Sequence, residues 1–187
     1  MDPKLIVLIA IIIVVGALIA WLYFRKRTTE HLRHKFGPEY ERAVLEQGSE
    51  RKAEAILTDR ERRIEKLHIR NLDPMEQENF TKEWESVQSH FVDSPKGAVT
   101  EADELVSTVM KTRGYPMTDF DQRAADISVD HPQVVENYRV AHEIALRANK
   151  DQANTEDLRV AMIHYRSLFG DLVHIPATME AKREVVA

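Results

Sequence analysis

Apolar side chains fill positions 5–24 without a break, LIVLIAIIIVVGALIAWLYF, and no ionisable group interrupts them. Twenty helical residues rise about 30 Å, the hydrocarbon thickness of a bilayer. Fourteen of the twenty are Leu, Ile, Val or Phe; at about 0.3–0.6 kcal/mol each near the bilayer centre, the gross insertion term is on the order of 4–8 kcal/mol. The pattern predicts one transmembrane helix. Trp21 and Tyr23 are rings of the type that settle at the headgroup level, and Arg25, Lys26 and Arg27 follow as a stop-transfer signal. A cleaved leader wants a shorter apolar core and a small-x-small cleavage site; Leu18-Ile19-Ala20 is a poor one. The segment therefore reads as a retained anchor.

Beyond residue 36 the apolar positions recur every three or four residues, the period of an amphipathic helix. Asp73-Pro74-Met75-Glu76 supplies an N-cap acceptor, a proline at the first helical position and a carboxylate at the third. The helix it opens carries Phe80, Trp84, Val87 and Phe91 on one face. Asp93-Ser94-Pro95 stops it and starts a second, with Ala98, Ala102, Leu105, Val106, Val109 and Met110 inward, closed by Arg113-Gly114-Tyr115-Pro116. A short helix capped by Thr118 presents Phe120, Ala124 and Ile127. A longer one, approached through Asp130-His131-Pro132, presents Val134, Val135, Tyr138, Ala141 and Ala145. The last, starting after Asn154 or Thr155, shows Leu158, Ala161, Met162, Tyr165, Leu168, Phe169 and Leu172. No segment alternates with period two, so the expected fold is all-α.

The pattern is weaker between anchor and bundle. Gly37-Pro38 opens a helix with Tyr40, Val44 and Leu45, Gly48 interrupts, and residues 50–69 carry Ala53, Ile56, Leu57, Ile64 and Leu67 with Arg60 inside the stripe. A narrow seam broken by a cation predicts an arm that packs in part, or one that pairs with a second copy. The expected organisation is an anchor at 1–27, a juxtamembrane segment and charged arm at 28–72, a helical bundle at 73–174 and a flexible tail at 175–187.

Charge sets the orientation. Lys4 and the amino terminus precede the apolar run, whereas Arg25, Lys26, Arg27, Arg33 and Lys35 follow it, so the positive-inside rule keeps the carboxyl-terminal side in the cytosol. The whole chain carries −5, residues 1–24 balance, and 25–35 carry +4 with Glu30 included, which leaves −9 for 36–187. An acidic body excludes a nucleic-acid track: Arg60, Arg62 and Arg63 stand among Asp59, Glu61 and Glu65, as on a solvated helix face. The absence of cysteine excludes thiolate chemistry, disulfides and a lipoprotein anchor.

Candidate chemistry is sparse. His31-x-x-His34 lies in the basic collar, where neighbouring cations oppose a bound dication. Glu65-x-x-His68 is a single unit where a di-iron bundle needs two, with two more glutamates. There is no glycine-rich phosphate loop, Gly-x-Ser-x-Gly elbow or His-Glu-x-x-His helix, so no metal, cofactor or catalytic set is assigned and no enzyme is expected. His142 and His164 flank the apolar stripes of two helices, beside Tyr138 and Tyr165, and are the pocket candidates. Gly16-x-x-x-Ala20 gives the anchor a small-residue face through which two copies can form a homodimer.

FGPEYERAV at 36–44, the arm's AEAIL and DRERR, FVDSPKGAVTEADELV at 91–106, RGYP, YRVAHEIA at 138–145 and TEDLRVAMIHYRSLF at 155–169 resemble a family of uncharacterised bacterial membrane proteins. The likeness covers most of residues 36–172. It implies a single amino-terminal hydrophobic segment, a helical body and a bacterial inner-membrane setting, and it brings no activity. The resulting expectation is a single-pass membrane protein whose cytoplasmic helical domain binds a protein partner. The alternatives are a small-ligand sensor or enzyme using a pocket between the last two helices, and an adaptor responding to anionic lipid through residues 25–35.

Overall fold

The structure is a computed structural model that describes residues 3–173, apart from the side chains of residues 3–11, Trp21 and Phe24. The described residues form eight helices and no strand, so the protein is all-α. They are α1 (Pro3–Phe36), α2 (Pro38–Gln47), α3 (Glu50–Glu65), α4 (Pro74–His90), α5 (Pro95–Arg113), α6 (Phe120–Asp130), α7 (Val135–Asn149) and α8 (Thr155–Val173). The chain divides into two compact units, Met1–Thr58 and Asp59–Ala187, and the division falls within α3. The tail expected at 175–187 lies outside the described residues.

In the first unit α1 is one unbroken helix of 34 residues. Among the described residues no helix is long and apolar enough to cross a membrane. The apolar stretch with described side chains, Ile12–Ala20, rises only about 14 Å, half a hydrocarbon core. The rest of the expected span, Leu5–Ile11, Trp21 and Phe24, lies outside the described side chains, so the crossing has no support from them. The last turns of α1 bury Leu32 and Phe36, together with Tyr40 and Ala43 of α2 and Ala53 and Leu57 of α3. Gly37 (φ 49°) and Gly48 (φ 63°) make the two turns, left-handed positions suited to a residue without Cβ.

α3 runs antiparallel to α1. Arg33 donates to Glu50 at 3.1 Å and Thr29 to Glu54 at 2.6 Å, so four residues backward on one helix match four forward on the other. The same step puts Thr58 level with Arg25. Glu54 also accepts from Tyr40 at 3.2 Å and so joins all three helices.

The second unit is built around α5, which packs on α4, α7 and α8, while α8 also lies along α7. Trp84 of α4 stacks on Phe169 of α8 at 4.9 Å and 17°. The capping box of α4 is formed as expected, with Asp73 and Glu76 each accepting from the other's backbone N–H. A reciprocal pair, Asn154 with Asp157, caps α8 and places its start after Asn154.

Three local expectations change. α6 is capped by Asp119, whose carboxylate accepts from Gln122 N at 3.0 Å, in place of Thr118. α7 starts at Val135 and buries Ile144 and Ala148, whereas Ala145 is half-buried. The arm is also less exposed than its broken seam predicted. Ile64 is buried, Arg60 donates to Ser128 at 3.2 Å, and Arg63 donates to Asp126 at 2.9 Å. The cation in the seam meets polar partners on α6, so it does not need solvent there.

Candidate functional site

Four helices bring one polar cluster into the second unit. Asp103 and Ser107 stand one turn apart on α5, Phe120 and Arg123 on α6, Tyr138 and His142 on α7, and Tyr165 on α8. Tyr165 donates to Asp103 Oδ1 at 2.9 Å, and Arg123 Nη1 donates to Ser107 at 2.8 Å. Phe120 lies flat against the His142 ring, 3.7 Å between centroids and 7° between planes, and tilts against Tyr138 at 4.8 Å. His142 Nδ1 is 3.8 Å from Asp103 Oδ1, beyond hydrogen-bond range.

Three buried polar atoms here have no hydrogen-bond partner: Tyr138 Oη, His142 Nδ1 and Arg123 Nε. Tyr138 is fully buried and its hydroxyl is near enough to Ser107 to be influenced by it, yet no bond of normal geometry forms. Such atoms are uncommon in folded proteins, and each costs about 1–3 kcal/mol when left unpaired.

Electrostatics fix the protonation of the core of the cluster. Burial alone would push the Asp103 carboxyl up, but His142, the Tyr165 hydroxyl and the Arg123 charge outweigh it and hold it below the usual range. Burial pushes the Tyr138 hydroxyl up to about 12. Tyr165 is raised further, first by burial, then by the charge and hydrogen bond of Asp103. Near neutral pH the cluster thus holds one carboxylate, one guanidinium and two neutral phenols. Ser107 is not activated as a nucleophile, because its neighbour is a guanidinium, which donates and cannot take the hydroxyl proton.

A second buried chain serves the fold. Arg113, 2% exposed, donates to Leu172 O at 3.1 Å, to Arg70 O at 3.3 Å and to His131 Nε2 at 2.9 Å. That leaves the proton of His131 on Nδ1, which donates to Asp171. Both ring nitrogens are committed, so His131 has none left for chemistry. The chain joins the end of α5, the end of α8 and the segment before α4.

Of the pocket candidates read from the sequence, Tyr138, His142 and Tyr165 come together. His164 does not: its Nδ1 bonds Asn137 Oδ1 at 2.9 Å, and Asn137 bonds Ser167. Asp103, Ser107, Phe120 and Arg123 complete the cluster, and sequence reasoning had not singled them out as a site. Asp103 did leave a signal: at 100° per residue it projects within roughly 20° of Met110, at the edge of the α5 stripe.

At the membrane-interface candidates, Tyr23 is 64% exposed, and Arg25, Lys26 and Arg27 are exposed, with Lys26 3.8 Å from Glu30. Trp21 lies outside the described side chains. Arg33 is drawn to Glu50 and sits 5.1 Å above the Tyr40 ring, so this collar cation already has partners within the protein. Gly16 has nothing within 4 Å of where a Cβ would stand. Among the described residues no group of three or more His, Asp or Glu is placed to hold a metal ion. No protein-family profile, curated protein or solved structure matches the chain.

Proposed function

We propose that the protein is a single-pass membrane protein of the bacterial inner membrane whose cytoplasmic helices form a scaffold for a protein partner. The observation that carries the anchor is the surface of α1. Ile12, Ile13, Val14, Val15, Leu18, Ile19 and Leu22 are all exposed, and at 100° per residue they point in every direction around the helix. A helix that is apolar all round belongs in lipid or in a large core. With residues 5–24 in the bilayer, the 12 residues from Arg25 to Phe36 extend about 18 Å into the cytosol. Their far end is held by α2 and α3, which supports a stiff stalk in place of a flexible linker. α3 returns to the level of Arg25, so this unit sits against the headgroups.

The family resemblance supports the bacterial setting, and the cation asymmetry supports a cytoplasmic carboxyl end. The test is a pair of topology reporters fused at residue 187, one active only in the cytosol and one only outside it, with alkaline extraction of membranes. The expected result is cytosolic activity and a chain that resists extraction. An external reporter signal, or release by alkali, overturns the placement. In-cell crosslinking from the second unit is expected to capture one specific protein reproducibly. Repeated empty captures would remove the scaffold role while leaving the anchor standing.

A further inference from the structure

The helices α4, α5, α7 and α8 meet along apolar stripes, and the end of α3 does not join them that way. Of residues 59–65 only Ile64 is buried. This end of α3 reaches α6 through two arginines: Arg60 Nη1 donates to Ser128 Oγ at 3.2 Å, and Arg63 Nε donates to Asp126 Oδ1 at 2.9 Å. We propose that residues 59–65 are a releasable strap, latched on α6 by Arg60 and Arg63 and able to leave it while the bundle stays folded.

The two sides of the latch differ in burial. Asp126 is 0% exposed and Ser128 is buried, whereas Arg63 is 42% exposed. A buried ion pair gains little beyond the desolvation of its own charges. This one gains less than a fully bonded pair, because Gln122 and Arg63 both donate to Oδ1 and Asp126 Oδ2 has no partner. Release returns both charges to water. A weakened pair is therefore relieved by opening the strap, without unfolding the bundle, and Ile64 is the apolar contact that opposes it.

The chain beyond the strap is built to bend. α3 ends at Glu65 and α4 begins at Pro74. Arg70 N donates to Arg113 O at 2.9 Å and pins the connection to the end of α5. Residues 66–69, between the helix and the pin, form the hinge; Lys66 N and Leu67 N bond back to Arg63 O and Ile64 O of α3. What the strap uncovers matches what covers it: a carboxylate and a hydroxyl on α6, set for two arginines one helical turn apart on α3. The strap lies wholly within the second unit, so the inference does not rest on the membrane or scaffold reading.

The experiment uses the absence of cysteine, which lets two introduced cysteines carry spin labels at known positions. Arg62→Cys on the strap and Asp121→Cys on α6 replace exposed residues and leave all four latch residues in place. Pulsed dipolar electron resonance on the full chain in lipid nanodiscs reads the distance between them. The expected result is a docked distance with a minor longer one. Arg63→Met and Asp126→Ala break the same bond from opposite ends, and each should raise the open-to-docked ratio by roughly tenfold. A control pair of labels at exposed positions of α5 and α8, Glu104→Cys and Arg159→Cys, should keep its distance in both variants. An unchanged strap distance in either variant overturns the proposal, because something other than the latch would then hold the end of α3. A shift at the control pair alongside the strap pair also overturns it, because the contact would then belong to the fold of the bundle.

Discussion

Arg113 gives the most exacting residue-scale prediction. Replacing it with methionine removes three donated hydrogen bonds and leaves the acceptors on His131 and Leu172 buried and unserved, with that on Arg70 part-buried. Breaking a buried charged network from one side costs about 3–5 kcal/mol, to be read as a lower midpoint in urea unfolding. Tyr138 should behave in the opposite sense. Its hydroxyl is buried without a partner, so Tyr138→Phe is expected to leave stability unchanged or raise it by about 1 kcal/mol near neutral pH. At high pH the same residue has a signed effect. Its folded value, about 12, lies above the unfolded phenol near 10, so the neutral form is favoured by folding. That contribution is present below pH 10 and is lost as pH rises through the folded value, on the order of 2 kcal/mol in all. Tyr138→Phe should therefore show a shallower alkaline limb in unfolding followed by circular dichroism between pH 9 and roughly 12. Asp103 is the acid counterpart. Its lowered carboxyl contributes above the unfolded value, the contribution is lost as pH falls, and Asp103→Asn should flatten the acid limb. The apolar candidates were legible in the sequence because periodicity marks a face. Asp103 and Arg123 were not, because a polar residue at the edge of a stripe reads the same whether it meets water or another buried group.

At the scale of elements, two of the left-handed glycines that follow helices, Gly48 and Gly114, separate backbone strain from close approach. Gly48 (φ 63°) has nothing within 4 Å of a notional Cβ, so Gly48→Ala should cost about 1–2 kcal/mol for the left-handed backbone alone. Gly114 (φ 98°) would place a Cβ 2.7 Å from His68 O, a backbone atom held in place by Arg70 N donating to Arg113 O at 2.9 Å. Gly114→Ala should thus cost clearly more than Gly48→Ala, and measuring both midpoints in one denaturant series decides it. Equal losses would mean that the 66–73 segment yields freely. The sequence located both stops, since glycine after a periodic run is a helix end wherever it occurs. It could not reveal the second chain segment lying over Gly114. The same limit explains the arm: the stripe of α3 was visible, but the partners of Arg60 and Arg63 lie more than sixty residues away on α6. Helix starts were legible where the acceptor and the reciprocal carboxylate are three apart, as at Asp73. The start of α6 was misplaced by one residue because Thr118 and Asp119 are both good caps and only the backbone chooses between them.

For the whole molecule, the question is whether lipid is the partner of the exposed apolar helix, and the magnitudes allow a decisive design. The gross insertion term for residues 5–24 is on the order of 4–8 kcal/mol, and an arginine near the middle of a span costs about 2.5–3.5 kcal/mol. Ile13 and Val15 lie near the midpoint and their side chains are exposed, so changing them disturbs no internal packing. The pair Ile13→Arg and Val15→Arg together should remove about 5–7 kcal/mol, most of the driving force. The expected outcome is a chain that no longer fractionates with membranes while the second unit keeps its cooperative unfolding, because the altered residues belong to the first unit. If the double variant remained membrane-bound, the basic collar would be holding the protein to anionic lipid, and raising salt should then release it, since surface attraction of that kind is screened within about 10 Å at 0.1 M. Retention that salt does not reverse would leave neither helix insertion nor headgroup attraction as the cause of membrane association.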